Sequence, residues 1–274
     1  MTGEVPSKRG GKATEVDLFA LWCITTERAV RQHRLQVLES RREIESEAQR
    51  KIAEIIPGHY DDPSRIAERL VRLGFKKAAT ILRDRLPTSK RARSADLGEI
   101  LATEYVNSRL PYRIPIRRLR WKDGRDVALR GDDLMGLRVE GNRLFLLKGE
   151  VKSRITLSSQ NIVEARDALE RHHGRPSPHT TNFVMDRLWE VGDDETALVL
   201  EQYLANRRIP TTQLVHLIFT FSQNNSAAFL AKDLISYKGG ILQLRAGVVV
   251  TDHAGFVSGV FEEVLPDGTS RGAS

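Results

Sequence analysis

Between residues 15 and 56 the chain contains no proline or glycine and is dense in charge, and Cys23, Val30, Val37 and Ile44 recur every seven residues with Leu38 and Ile52 beside them. A thin apolar stripe at that period predicts one or two long amphipathic helices, ending at Pro57-Gly58. Asp61-Asp62-Pro63-Ser64 has the composition of a helix start, with carboxylates near the N-terminal dipole. Two helices are expected after it, over 63–73 and 75–86, with a break at Gly74. Pro87 and the basic stretch 88–93 read as a connecting loop. Ser94-Ala95-Asp96 then caps a helix to residue 108, whose apolar face is Leu97, Ile100, Leu101, Tyr105 and Val106.

After Pro111 the pattern changes to short extended segments. Residues 114–121 alternate loosely and end at Lys122-Asp123-Gly124-Arg125, a hairpin composition. Residues 127–129 and 134–139 read as a second strand, interrupted at 131–133. Glu140-Gly141-Asn142 is the next turn, and 143–151 the third strand. Helices follow from Ser158 or Ser159 to 172, over 182–189 and over 195–206. The nearly unbroken apolar run 214–221 is the mark of a strand buried on both faces. A helix over 226–235, a strand over 241–251 and a short helix over 254–264 complete the order. The fold class expected is α/β (α+β): a central mixed sheet flanked by helices, with an N-terminal helical extension.

Composition narrows the partners. The 274 residues carry a formal charge of +7, with a sequence pI near 9.7, which favours a polyanion and nucleic acid above all. Cys23 is the only cysteine, so an intrachain disulfide and cysteine-rich zinc modules are excluded. No apolar stretch approaches the ~20 residues of a membrane helix, and residues 1–14 lack a hydrophobic signal core. The expectation is a soluble cytoplasmic protein. Its regions would be a disordered basic tail (1–14), a helical N-terminal region (15–90), a catalytic or binding domain (91–264) and a flexible tail (265–274).

Candidate chemistry lies where the second and third strands meet. Gly149-Glu150-Val151-Lys152-Ser153-Arg154 ends the apolar run Leu144-Phe145-Leu146-Leu147, downstream of Arg130-Gly131-Asp132-Asp133-Leu134-Met135-Gly136. A chain of this length holds roughly two Glu-x-Lys triplets by chance, and Glu150 with Lys152 could be a solvated ion pair. Strand alternation, however, points both side chains the same way, and burying either charge alone is unfavourable. Asp133 stands at the mouth of the neighbouring strand. Two close carboxylates are tolerated best around a cation, and a hard ion such as Mg²⁺, with Mn²⁺ as a substitute, takes oxygen ligands. Lys152 would orient an attacking water or offset charge on a phosphate. Glu99, in Asp96-Leu97-Gly98-Glu99, is a candidate third acid, or an ordinary first-turn carboxylate; Gly98 would let another backbone approach closely.

These segments, SADLGEILATEYV…RGDDLMGLR…GEVKSR, resemble the PD-(D/E)xK nuclease superfamily. More narrowly, they are similar to the nuclease subunits of Hachiman anti-phage defence systems. The resemblance spans residues 74–264 and is motif-specific between 94 and 154. It implies a restriction-endonuclease-like fold, Mg²⁺-dependent DNA cleavage and a separate superfamily-two helicase as partner. It also implies Asp133, Glu150 and Lys152 as the catalytic set, with Glu99 assisting at the metal. The family's proline is absent, with Gly131-Asp132 in its place, so Asp132 remains an alternative to Asp133. Asp133 is favoured because the strand starts directly after it.

Other features carry less. Gln160, at the start of the next helix, could face the site or simply cap the helix. Lys90, Arg91, Arg93 and Arg154 flank the acids in sequence and could track DNA phosphates. His172, His173 and His179 surround a loop with no cysteine to complete a zinc site. Gly10-Gly11-Lys12 lacks the remaining residues of a P-loop, so an ATP-driven motor would have to come from another chain. Two functions remain: a metal-dependent DNA endonuclease, or a nuclease-like subunit that binds DNA or regulates a helicase without cutting.

Overall fold

The computed structural model describes residues 17–141, 143–206 and 209–264; the tails expected at 1–14 and 265–274 lie outside them. The chain opens with a hairpin, β1 (Cys23–Val30) and β2 (His33–Ser40). Helices α1 (Glu45–Tyr60), α2 (Pro63–Leu73), α3 (Phe75–Arg83) and α4 (Lys90–Arg109) follow. A second hairpin, β3 (Leu134–Glu140) and β4 (Arg143–Ser153), leads to α5 (Ser159–Glu170), α6 (Pro178–Glu190) and α7 (Asp194–Asn206). The chain then alternates through β5 (Leu214–Ser222), α8 (Ala227–Ser236), β6 (Leu242–Val249) and α9 (His253–Val264).

The six strands form one mixed sheet in the order β1-β2-β6-β5-β4-β3. The two hairpins are antiparallel, and the four central strands run parallel to one another. Every residue of β5 is buried, as its unbroken apolar run foretold. Val215, Leu217, Phe219 and Phe221 pack towards a cluster that includes Ile52 and Ile56 of α1, Leu97 and Leu101 of α4, and Phe256 and Val260 of α9. Ile218, from the alternate positions, packs with Ile162 of α5 and Leu230 and Leu234 of α8 on the other face. Helices therefore cover both faces of a mostly parallel sheet, the arrangement such sheets require.

The expected N-terminal helical arm is corrected by the first hairpin: residues 23–40 are two strands, and β2 pairs with β6 in the central sheet. The seven-residue stripe is coincidental with strand alternation: Leu35 and Val37 pack into the core on one face of the sheet and Leu38 into the core on the other. β1 is an exposed edge strand, and its charges suit a position where unpaired backbone must discourage further pairing. The helix after it also passes through Pro57-Gly58 instead of stopping there. It is anchored beyond the proline by the Arg120 guanidinium, which donates to the Gly58 carbonyl at 2.8 and 3.0 Å, and by Tyr60, which donates to Asp96 at 2.5 Å.

Two further expectations are corrected. Residues 88–93 are not a loop: Ser89 caps α4, accepting from Ala92 N–H at 3.2 Å, so the helix begins at Lys90. The expected strand over 114–121 is replaced by one bridge, Arg113 with Leu137, and a 3-10 turn over Arg118–Trp121.

Candidate active site

The register of β3 on β4 places Leu134 opposite Gly149. One step before Leu134 and one step after Gly149 stand Asp133 and Glu150, at the point where the hairpin forks. Asp133 Oδ2 accepts from the Val151 N–H at 2.8 Å, which fixes the aspartate across the fork. Lys152, two residues along and so on the Glu150 face, donates from Nζ to Glu150 Oε1 at 2.7 Å. Both side chains are half-buried, at 16–17% relative exposure.

Glu99 arrives from α4, and Gly98 is what lets that helix come close enough. A Cβ at Gly98 would stand 2.9 Å from Ser153 Cβ and 3.1 Å from Val151 Cγ1. Glu99 and Asp133 line the same narrow cleft together with Arg118; its volume is about 10 Å³, close to the room one water needs.

The electrostatics tie these acids into one group. Burial, then repulsion from Asp133 and Asp96, pushes Glu99 up to about 8 against the pull of Arg118. Burial and the Asp133 carboxylate raise Glu150 to about 7 despite Lys152. Burial raises Asp133 as well, opposed by the Val151 N–H, Arg118 and Lys152. Three acids that resist ionisation because they are buried, two of them also facing the Asp133 carboxylate, form a site short of positive charge. Among the described residues no three His, Cys, Asp or Glu side chains already converge on one ion-sized point. Asp133 is turned onto the Val151 N–H and Glu150 onto Lys152. The all-oxygen donor set and the charge deficit nevertheless fit a hard divalent cation, which Glu99, Asp133 and Glu150 would hold.

Asp132 faces elsewhere. Its Oδ2 accepts from the Ser177 N–H at 2.6 Å at the start of α6, its own N–H donates to Thr180 Oγ1 at 2.8 Å, and Lys148 Nζ lies 3.4 Å from Oδ1. The preceding Gly131 has φ 99°, and a Cβ there would meet Thr180 Oγ1 at 2.5 Å, so this tight docking of the loop on α6 requires glycine. The alternative of Asp132 as the acid beside Glu150 is thus not the arrangement observed. Gln160 is exposed on the first turn of α5, and no described hydrogen bond joins it to the acids.

Two cations that sequence reasoning passed over hold the acidic loop. Arg118, buried, donates to the Asp132 carbonyl and, at 3.0 Å, to the Arg130 carbonyl. Lys148 sits fully buried in β4 and donates to the carbonyls of Ala168, Leu169 and Arg171 at 3.0–3.1 Å, capping α5 while it faces Asp132. A lysine inside the apolar run 144–148 was the signal available for it. Lys90, Arg91, Arg93 and Arg154 do not surround the acids. They line a separate cavity of about 850 Å³ bounded by the first turn of α4, the end of β4 and the start of α9.

Among the described residues, no helix is long and apolar enough to cross a membrane. The HamA family model matches residues 17–264. The Hachiman protein HamA of Bacillus cereus is 25% identical over 176 residues, covering 64% of this chain and 62% of that relative. The match thus spans under two thirds of the relative's length.

Proposed function

The chain belongs to the HamA family, and from that premise we propose that it is a divalent-metal-dependent endonuclease acting on DNA. We place it as the effector of a Hachiman-type anti-phage defence system, controlled by a partner superfamily-two helicase. One observation supports the chemistry above the others: Glu99, Asp133 and Glu150 are electrostatically linked at the fork of β3 and β4, with Lys152 bound to one of them. The PD-(D/E)xK reading rests on that constellation.

Asp133 and Glu150 are the proposed primary ligands for Mg²⁺ (Mn²⁺ substituting), and Glu99 completes the set. A bound divalent ion supplies Lewis-acid polarisation of the phosphoryl oxygen and a lowered pKa for water. The protein's own groups do the rest. Val151 N–H and the Arg118-braced loop fix Asp133 in place. The Lys152 ammonium, held by Glu150, stands where it can orient the attacking water and offset charge developing on the phosphate. The basic balance of the chain favours the polyanionic substrate.

The test uses purified full-length protein with supercoiled plasmid and Mg²⁺, alone and with the helicase from the same system. The expected result is metal-dependent nicking or linearisation that disappears in a Glu150→Ala/Lys152→Ala double variant. Cleavage that survives the double substitution refutes the assignment.

A further inference from the structure

The 850 Å³ cavity beside the acids has a composition that the proposed hydrolysis does not use. Its lining includes four cations, Lys90, Arg91, Arg93 and Arg154, and among the described residues no carboxylate. Ile155, Ala254 and Val257 supply apolar wall. At its floor a polar chain runs from Ser94 Oγ to Ser153 Oγ at 2.8 Å and on to His253 Nε2 at 3.0 Å. His253 is 2% exposed, and among the described residues its Nδ1 has no hydrogen-bond partner. The Arg93 guanidinium is stacked over Phe261, 5.6 Å from the ring centroid, so its plane is held in place.

We propose that this cavity receives a single unpaired nucleotide, its base against the apolar wall and its phosphate among Lys90, Arg91 and Arg154. The volume lies within the range of roughly 300–1,000 Å³ typical of small-molecule sites, ample for a base and sugar. A groove that only tracked duplex phosphates would need cations but no apolar wall beside them. A paired base cannot enter such a pocket without leaving its stack, so the occupant is a strand end, a flap, a gap or a single strand. Ordered hydroxyl and imidazole groups at the floor offer partners to a base edge, and arginine planes are common stacking surfaces for unpaired bases.

Position relates the cavity to the acids. Arg91 and Glu99 share α4, eight residues or about 12 Å apart along its axis. Ser153 follows Lys152 on β4 and faces the opposite side of the strand. A strand leaving the cavity over Arg154, at the end of β4, therefore reaches the acids within a short stretch. This deepens, and rests on, the nuclease reading: the substrate would be DNA with an unpaired segment.

Binding measured without metal separates this proposal from catalysis. Fluorescence anisotropy of full-length protein in EDTA would compare a labelled single strand, a duplex with a short overhang and a blunt duplex. Wild type is expected to bind the first two at least tenfold more tightly than the last. Ala254 is exposed on the cavity wall, so Ala254→Trp fills the space from outside the core. It should weaken single-strand binding about tenfold and leave blunt-duplex binding within twofold, while Ala254→Ser behaves as wild type. Arg91→Ala/Arg154→Ala should lower the salt slope for single strands by about 1.4, two phosphate contacts at ~0.7 each.

Competition by a mononucleotide such as dTMP at micromolar concentration would identify a free nucleotide as the occupant; competition by oligonucleotides alone would identify a nucleotide within a strand. Equal affinity for blunt and single-stranded DNA, or an unchanged Ala254→Trp variant, overturns the proposal. Cleavage that survives in the Glu150→Ala/Lys152→Ala variant with this binding pattern intact refutes the catalytic assignment and leaves the binding proposal standing, so the two readings fail separately.

Discussion

Replacing Gly98 with alanine tests the contact that brings the Glu99 helix to the Glu150 strand. The added Cβ would lie 2.9 Å from Ser153 Cβ and 3.1 Å from Val151 Cγ1. Carbon pairs prefer roughly 3.5–4.0 Å, so α4 and β4 must separate by about 0.6–1.1 Å. Neither neighbour is the end of a flexible chain. Ser153 is further held by Ser94 and His253, and Val151 by its N–H bond to Asp133. Overpacking of this kind destabilises by about 1–3 kcal/mol, and the helix propensity gained over glycine returns about 1 kcal/mol. The net expectation is a loss of about 0–2 kcal/mol, or up to roughly 8 °C in Tm for a chain of this size. Because the displaced groups carry the acids, cleavage should fall at least tenfold at temperatures where the variant is fully folded. Thermal and urea unfolding beside a plasmid-nicking assay would measure both. A Gly98→Ala protein as stable and as active as wild type would refute the close-approach argument.

Other consequences follow from the same geometry. Glu99 and Glu150 are raised to about 8 and about 7 in the folded chain, so between the ordinary glutamate value and pH 8 the native state holds protons that the unfolded state has released. Metal-free stability should therefore fall as pH rises from 6 to 8.5; Tm scans in EDTA should show a shallower fall in Glu150→Gln, and identical slopes would contradict this. Saturating Mg²⁺ should flatten the wild-type slope, since ion binding displaces those protons. Lys148→Met removes the buried partner of Asp132 and the donor to three carbonyls, and should destabilise by about 3–5 kcal/mol. Denaturant unfolding would read this directly, and a loss under 1 kcal/mol would refute the clamp. Arg118→Met frees the loop ahead of Asp133 and removes a cation that favours the ionised form of both Glu99 and Asp133. Calorimetric Mg²⁺ titration should show weaker binding with a higher pH requirement, and an unchanged titration would count against the bracing role.

Most helices were legible because their punctuation is chemical. Asp62 and Pro63 start α2, Gly74 divides α2 from α3, and Ser158 with Asn161 forms a capping box at α5. The β5 run could be read as a fully buried strand because nothing polar interrupts it except His216 and Thr220, which the interior satisfies. The first hairpin was hidden because its turn contains no glycine, proline or asparagine: Arg31 takes φ 56° itself, an uncommon choice for a long side chain. A charged edge strand then looked like one face of a helix.

At the acids, the neighbouring positions of Asp133 and Glu150 followed from hairpin register, a local property. The separation of Asp132 from Asp133 did not. It depends on Ser177, Thr180 and Lys148, which reach Asp132 from α6 and from within β4. The basic residues also sorted differently from their sequence order, because Ser89 starts α4 a turn earlier than expected. That turn carries Lys90, Arg91 and Arg93 to the cavity at the start of α9.

Anomalous diffraction from crystals soaked in Mn²⁺ at pH 8 tests the central claim most directly. One strong peak is expected at the fork of β3 and β4, about 2.0–2.2 Å from carboxylate oxygens of Asp133 and Glu150, with Glu99 in or next to the coordination sphere. A fork without a peak under those conditions, or an ion bound elsewhere while Asp133 and Glu150 keep their bonds to Val151 and Lys152, would contradict it.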